Sequence, residues 1–263
     1  MSLAINTNID AMNAHRNLVG TESQLSKSMQ RLSSGLRINS AADDAAGLAI
    51  SQKLTGQVNG LDQAQRNAQD GVSLVQTADG TLNEVTQMLQ RVRELAVQYA
   101  NGTLSTSDQS AIASEVGQLA SEISRVGTAA KFNNIALFAG STISFQVGAN
   151  DGEVLSVTTA SMGSLVGTIS LSSATVMSTI DGYINAVSAQ RASFGALQNR
   201  LQYTLDNLAI SSQNLNAAKS GIQDIDMASE MTNFTKEQIL QQAGTSMLAQ
   251  ANQEPQAILK LLQ

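Results

Sequence analysis

The heptad repeat across residues 61–99 limits the fold more than any other feature of this chain. Leu61, Ala68, Val75, Leu82, Leu89 and Ala96 recur every seven residues, and Ala78, Val85, Val92 and Tyr99 lie three positions after the later members. This is an a/d seam sustained for about five heptads. Written as one helix, the segment extends about 58 Å at 1.5 Å per residue. A helix cannot bury such a stripe alone, so partner helices are required. Two are visible. Val187, Phe194, Leu201, Leu208, Leu215 and Ile222 run at strict seven-residue spacing, and Ile112, Val116, Leu119, Ile123 and Val126 step by four and three. Pro255 is the one proline of the chain, so proline interrupts almost nothing. Asn101-Gly102-Thr103 separates the first long helix from the shorter one, and Ser107-Asp108 is the expected cap where helix resumes. The residues predict a bundle of three helices, two of them very long.

One stretch reads as β. Ile143, Phe145 and Val147 alternate with Ser144 and Gln146, turn residues follow from Gly148 to Glu153, and Val154-Leu155-Ser156-Val157 runs out again. That pattern predicts a β-hairpin. Residues 158–175 are rich in Ser, Thr and Gly and read as a short surface connection or a weak second hairpin.

The two ends mirror each other. Residues 3–36 carry Ile5, Ile9, Met12 and Val19, then Leu18, Leu25, Met29, Leu32 and Leu36. Residues 226–263 carry Met227, Met231, Phe234, Leu240, Met247, Leu248, Ile258, Leu259, Leu261 and Leu262. Both ends read as amphipathic helices with few charges. Two helices make little core for an independent domain. Their stripes are better explained as surfaces buried against other copies.

Composition excludes several functions. The net charge is −6, which disfavours sequence-independent nucleic-acid binding. Aromatic residues make up 3% and there is no Trp, so gaps are filled by aliphatic side chains and nine Met, which suits packed helices better than an enzyme pocket. The absence of Cys removes disulfides, thiol nucleophiles and Cys metal sites. The single His15 sits beside Arg16 with no evident orienting partner, so it reads as a helical surface residue. No cofactor or metal is expected. No apolar run is long enough to span a membrane, and the N-terminus lacks a cleavable signal pattern. By default that implies the cytoplasm, unless a dedicated export machine reads the unfolded chain.

Other motifs are weaker. Asp43-Asp44 and the set Asp224, Asp226 and Glu230 lack calcium-loop spacing and read as helix caps and solvated carboxylates. Asn101-Gly102-Thr103 and Asn233-Phe234-Thr235 match the N-glycosylation triplet, a weak signal. The polar cluster Gln90-Arg91-Val92-Arg93-Glu94-Leu95 has two readings. One is a solvated face with local ion pairs. The other is a protein contact with Leu95 as an exposed apolar anchor. The residues alone favour the first.

Long segments of this chain resemble the flagellins, the filament subunits of the bacterial flagellum. The segment from Arg31-Leu32-Ser33-Ser34-Gly35-Leu36-Arg37-Ile38-Asn39-Ser40 through Asp43-Asp44-Ala45-Ala46-Gly47 is similar to the family's most recognisable stretch. So are Leu89-Gln90-Arg91-Val92-Arg93-Glu94-Leu95-Ala96-Val97-Gln98, Gln238-Ile239-Leu240-Gln241-Gln242-Ala243-Gly244-Thr245, Ala249-Gln250-Ala251-Asn252-Gln253 and Pro255-Gln256. The resemblance covers about 1–155 and 178–263. Between the halves stand only about twenty residues (158–177), where larger flagellins insert outer domains. It therefore implies a minimal, mainly α flagellin with a coiled-coil-like bundle, paired N- and C-terminal helices and a small β-hairpin region. The implied domains are a discontinuous terminal one, 1–43 with 224–263, and a helical bundle, 44–223, with its hairpin near 140–160.

The resemblance also implies a function. It is that of a structural, non-enzymatic subunit polymerising into an extracellular filament for motility. Export would run through the flagellar type III apparatus without a cleaved signal, which overrides the cytoplasmic default. The polymer and export-chaperone surfaces would include Ile5, Ile9, Leu18, Leu25, Leu32, Phe234, Leu240, Met247, Leu248 and Leu259. Other implied partners are the filament cap and hook–filament junction proteins. Arg91, Leu95 and Glu115 match positions that contact the flagellin-sensing Toll-like receptor in some relatives. Neither nucleic-acid binding nor membrane insertion is implied. The alternative within the same system is a hook–filament junction protein, whose ends resemble flagellin's. A metalloprotease insert, as some flagellins carry, is not expected, since the chain has no H-E-x-x-H and almost no insert.

Overall fold

The computed structural model describes residues 7–173 and 175–261, the side chains of 254–261 excepted. The chain forms two compact units. One comprises Met1–Gly56 with Leu215–Gln263, and the other comprises Gln57–Asn214.

The second unit holds the heptads. Helix α2 (Ala45–Tyr99) runs for 55 residues, and its seam is the core of this unit. Ala68, Ala78, Leu82, Val85, Leu89, Val92 and Ala96 are completely buried. The helix stops at the Asn101-Gly102 break. Helix α3 (Thr106–Ala129) then restarts with Ser105 as its N-cap. Ser105 Oγ accepts from Asp108 N (3.2 Å), while Asp108 Oδ2 accepts from Ser105 N (3.1 Å) and Oγ (2.7 Å). The cap expected at Ser107-Asp108 is thus corrected. Asp108 does close the turn, but as the third residue of a capping box begun by Ser105, because the reciprocal bonds need that spacing.

Two small hairpins follow. Strands β1 (Lys131–Phe132) and β2 (Ile135–Ala136) pair antiparallel around Asn133 and Asn134, both at positive φ (46° and 65°). Two such residues make the tight mirror-type turn that matches strand twist. Strands β3 (Thr142–Gln146) and β4 (Val154–Thr158) pair antiparallel with Phe145 opposite Leu155 and Ile143 opposite Val157. Leu155 and Val157 are buried, and Phe145 lies over Gly71, where an added Cβ would sit 3.3 Å from its ring. The alternation of apolar and polar residues thus lays one face of the hairpin on the bundle.

The following segment is a core plug rather than a surface connection or second hairpin. Thr159 donates both its N–H and Oγ–H to Ser141 O (each 3.0 Å). The short helix α4 (Met162–Leu165) buries Met162 and Leu165. The Ser/Thr composition misled because two apolar residues suffice for one turn of buried helix. Helix α5 (Val176–Gln223) closes the bundle with Ile180, Val187, Phe194, Leu197, Leu201 and Leu208 inward. Arg191 ties α5 to α2, donating to Asp79 Oδ1 (2.8 Å) and Asn83 Oδ1 (3.1 Å).

The first unit contains helices α1 (Ile9–Ser34) and α6 (Met227–Leu261), with the start of α2 and the end of α5. Asn8 caps α1 by accepting from Ala11 N (2.9 Å), and Gly35 ends it at φ 71°, a left-handed conformation that favours glycine. Gly35 and Arg37 then clamp the return of the chain. Ile225 N donates to Gly35 O (3.1 Å), and Arg37 N donates to Gln223 O (2.7 Å).

Candidate functional site

Helices α1 and α6 pack against each other in antiparallel sense. Asn8 Nδ2 donates to Ala251 O (2.7 Å) at one end, and Ser28 Oγ donates to Glu230 Oε1 (2.5 Å) near the other. The inward positions follow three- and four-residue steps. On α1 they are Ala11, Ala14, Leu18, Thr21, Leu25, Ser28 and Leu32. On α6 they are Glu230, Phe234, Glu237, Gln241, Gly244, Leu248 and Ala251. This seam is thin. It is built largely of small and polar residues, and Gly244 lets Leu18 come within 3.3 Å of where a Cβ would stand.

Several large apolar residues instead face outward. Ile9, Met12 and Val19 lie opposite the α1 seam, with Ile9 56% and Met12 60% exposed. Leu240 and Met247, seven residues apart, form a stripe along one flank of α6, and Ile239 lies on its far side. A groove of about 580 Å³ runs between the helices, lined by Ala14 and Leu18 on one wall and by Leu240, Gly244 and Met247 on the other. Apolar exposure on this scale along two paired helices marks an interaction surface. The seam mixes small and polar residues with Leu18, Leu25, Leu32, Phe234 and Leu248, and a further set of large apolar side chains stays exposed outside it.

The residues expected at a polymer or chaperone surface therefore fall into two sets. Ile9, Leu240 and Met247 are exposed. Leu18, Leu25, Leu32, Phe234 and Leu248 are half-buried along the α1–α6 seam. Ile5 and the side chain of Leu259 lie outside the described residues. Ser28 and Ile239 were not among the expected site residues. The seam spacing 11, 14, 18, 21, 25, 28, 32 would have separated inward from outward positions, had small residues been counted with the large ones.

The acidic residues are mostly caps. Asp43 Oδ2 accepts from Ser40 N (3.0 Å), Ser40 Oγ (2.9 Å) and Asn39 N (3.3 Å), and these donors hold its carboxyl below the usual range. Asp44 Oδ1 accepts from Gly47 N (2.9 Å), and Asp226 Oδ1 from Ala228 N (3.0 Å). Glu230 departs from the expected solvated face, being 8% exposed beneath Ser28. No group of three or more His, Cys or acidic side chains able to hold a metal occurs among the described residues. His15 is exposed.

Around Arg91 the geometry corrects one expectation. Arg91 is exposed and pairs with Glu115 (3.0 Å) and Glu94 (3.1 Å). Leu95 is 2% exposed rather than an exposed anchor. It packs in a core cluster with Val92, Ile112, Val116 and Ile180, because a helix crossing a bundle buries more than its a/d seam.

The family comparisons agree along the chain. Residues 5–142 match the model described as the bacterial flagellin N-terminal helical region, and 177–262 match the C-terminal helical region. A flagellin of Halalkalibacterium halodurans is 49% identical over 271 residues, covering 99% of this chain and 100% of that protein. The 33 kDa flagellar filament core protein of Treponema phagedenis and a flagellin of Bacillus subtilis are each 43% identical, again over 99% of this chain and 100% of theirs. The crystal structure of Bacillus cereus flagellin superposes with a TM-score of 0.51 at 30% identity, covering 59% of this chain and 94% of that one.

Proposed function

This chain belongs to the bacterial flagellin family, and from that premise we propose that the outward faces of α1 and α6 are the surfaces through which copies of it assemble. The protein is a structural subunit of the flagellar filament. The observation that supports the assembly reading is the exposure of Ile9, Met12, Val19, Ile239, Leu240 and Met247 on a pair of helices whose seam buries few large side chains.

Burial explains how this drives assembly. Each large apolar side chain removed from water contributes about 1.5–3 kcal/mol before ordering costs. Several per helix, repeated on each subunit, outweigh the entropy of ordering the terminal helices. The contacts join unlike faces of successive subunits, so they propagate as a filament instead of closing. The subunit performs no catalysis.

The reading extends to partners. Before assembly the C-terminal helix, with Phe234, Leu240, Met247 and Leu248, is held by a cytoplasmic export chaperone. The subunit then leaves the cell through the flagellar export apparatus and adds beneath a cap protein, on a filament that starts at a hook–filament junction. Arg91 and Glu115 present a charged surface to a flagellin-sensing Toll-like receptor, with Leu95 supporting the helix below them.

Seeded elongation tests the assembly reading. Purified chain is added to filament seeds beside a chain lacking residues 226–263, and both are imaged by negative-stain electron microscopy. Long uniform filaments are expected from the intact chain alone. A truncated chain that still elongates seeds would overturn the reading.

A further inference from the structure

The exposed side chains of the terminal helices have an unusual chemistry. Among the described residues, every methionine of α1 and α6 is exposed: Met12, Met29, Met227, Met231 and Met247 range from 48% to 64%. The methionines of the other unit go inward. Met162 is buried, and Met88 and Met177 pack partly buried against the cores. Along the seam between α1 and α6, the apolar positions are Leu18, Leu25, Leu32, Phe234 and Leu248. The exposed thioethers thus gather on the terminal pair, and two of them, Met12 and Met247, lie on the surface assigned above to assembly.

The chain contains no Cys, so no thiol competes for a two-electron oxidant. We propose that Met12, Met29, Met227, Met231 and Met247 form a peroxide-reactive modification site, whose conversion to methionine sulfoxide switches off addition of the subunit to a filament. This rests on the reading of the outer face as the assembly surface.

The chemistry is an oxygen-atom transfer. A lone pair on the Met Sδ attacks one oxygen of hydrogen peroxide, an S–O bond forms and the O–O bond breaks. The departing oxygen collects the proton from the transferred one and leaves as water. Sulfur loses two electrons and peroxide gains them. The product places a polar S=O group where assembly requires an apolar one. Reduction by a methionine sulfoxide reductase takes the oxygen away as water while two reductase thiols become a disulfide. Packing in the filament removes these sulfurs from solvent, so the site reacts in free subunits and is shielded in assembled ones. Losing the burial of one Met alone changes an association constant by about tenfold.

The test uses full-length subunits, filament seeds and hydrogen peroxide. Peptide mass spectrometry follows oxygen addition, and light scattering follows elongation. The expected result is oxygen on the five exposed methionines before Met162, elongation at least tenfold slower, and recovery after reductase treatment. A variant carrying Met12→Leu, Met29→Leu, Met227→Leu, Met231→Leu and Met247→Leu keeps the apolar face and elongates equally with and without peroxide. Intact subunits carrying five sulfoxides that elongate at the untreated rate would overturn the proposal. So would a failure of the reductase to restore them. Untreated intact subunits that never elongate seeds would instead overturn the assembly reading itself.

Discussion

Ser28 and Glu230 lie 202 residues apart in the chain and share a 2.5 Å hydrogen bond, each more than nine-tenths buried between α1 and α6. The contact is directional in a seam otherwise made of small, polar and half-buried apolar side chains, so it resists sliding of one helix along the other. Ser28→Ala would leave the Glu230 carboxylate without its donor and is expected to destabilise the terminal pair by about 1–3 kcal/mol. Amide hydrogen exchange of α1 and α6 checks this. Faster exchange there, with the core of α2 unchanged, is the expected result, and unchanged protection would contradict it.

The heptad seam of α2 predicts a second contrast. Leu82 is completely buried, whereas Val97 on the same helix is 49% exposed. Leu82→Ala should cost about 2–5 kcal/mol through lost burial and the cavity left behind. Val97→Ala should stay within about 0.5 kcal/mol. Midpoints of denaturant unfolding at equal slope measure both, and similar midpoints for the two variants would contradict the packing described.

Gly127 makes a prediction whose sign is unusual. Within a helix, alanine is normally favoured over glycine by about 1 kcal/mol. Here a Cβ would stand 2.5 Å from Met162 Cγ and 2.6 Å from its Cβ. Those atoms are the near end of a buried side chain and cannot swing aside, so overpacking of about 1–3 kcal/mol prevails. Gly127→Ala should lower the Tm, and a raised Tm would show that α4 yields to the new methyl.

Acid should unfold the protein through a defined set of carboxylates. The Ser105 hydroxyl and amide hold Asp108 below its usual range, and the Arg93 guanidinium does the same for Asp181. A depressed folded-state pKa gives stability that is fully present above the unfolded value, near 4, and is lost as pH falls through the lower folded value. Tm should therefore hold from pH 7 to about 5 and fall below about 4. The Asp108→Asn, Asp181→Asn double variant should show a shallower acid decline, and an unchanged decline would contradict these assignments.

Much of this was legible in the sequence because long heptads admit few solutions. Leu82, Leu89, Phe194 and Leu201 at seven-residue spacing specify a bundle whatever the loops do. The β3–β4 hairpin followed from the alternation of Ile143, Phe145 and Val147 before a run of turn residues. The β1–β2 hairpin did not, since two-residue strands carry no period and only Asn133-Asn134 hinted at the turn. The plug formed by Met162 and Leu165 was hidden within a polar composition. At the terminal helices the apolar stripes were visible, but which stripe faces the partner helix depends on Ala14, Ser28, Gly244 and Ala251. Those residues fall below the threshold of a hydrophobic pattern. Leu95 misled for a related reason: a spacing of four from Arg91 does not place a leucine at the surface when a third helix packs beside it.

The most direct test concerns the outward faces of the terminal helices. Leu240→Asp and Met247→Asp together place charge on the outer flank of α6 while leaving Ser28 and Glu230 in place. Elongation from filament seeds, followed by light scattering and electron microscopy, is the measurement. The account predicts that the double variant keeps the helix content of the intact chain but adds to seeds at least about tenfold more slowly. Elongation at the rate of the intact chain would contradict the claim that these faces carry assembly.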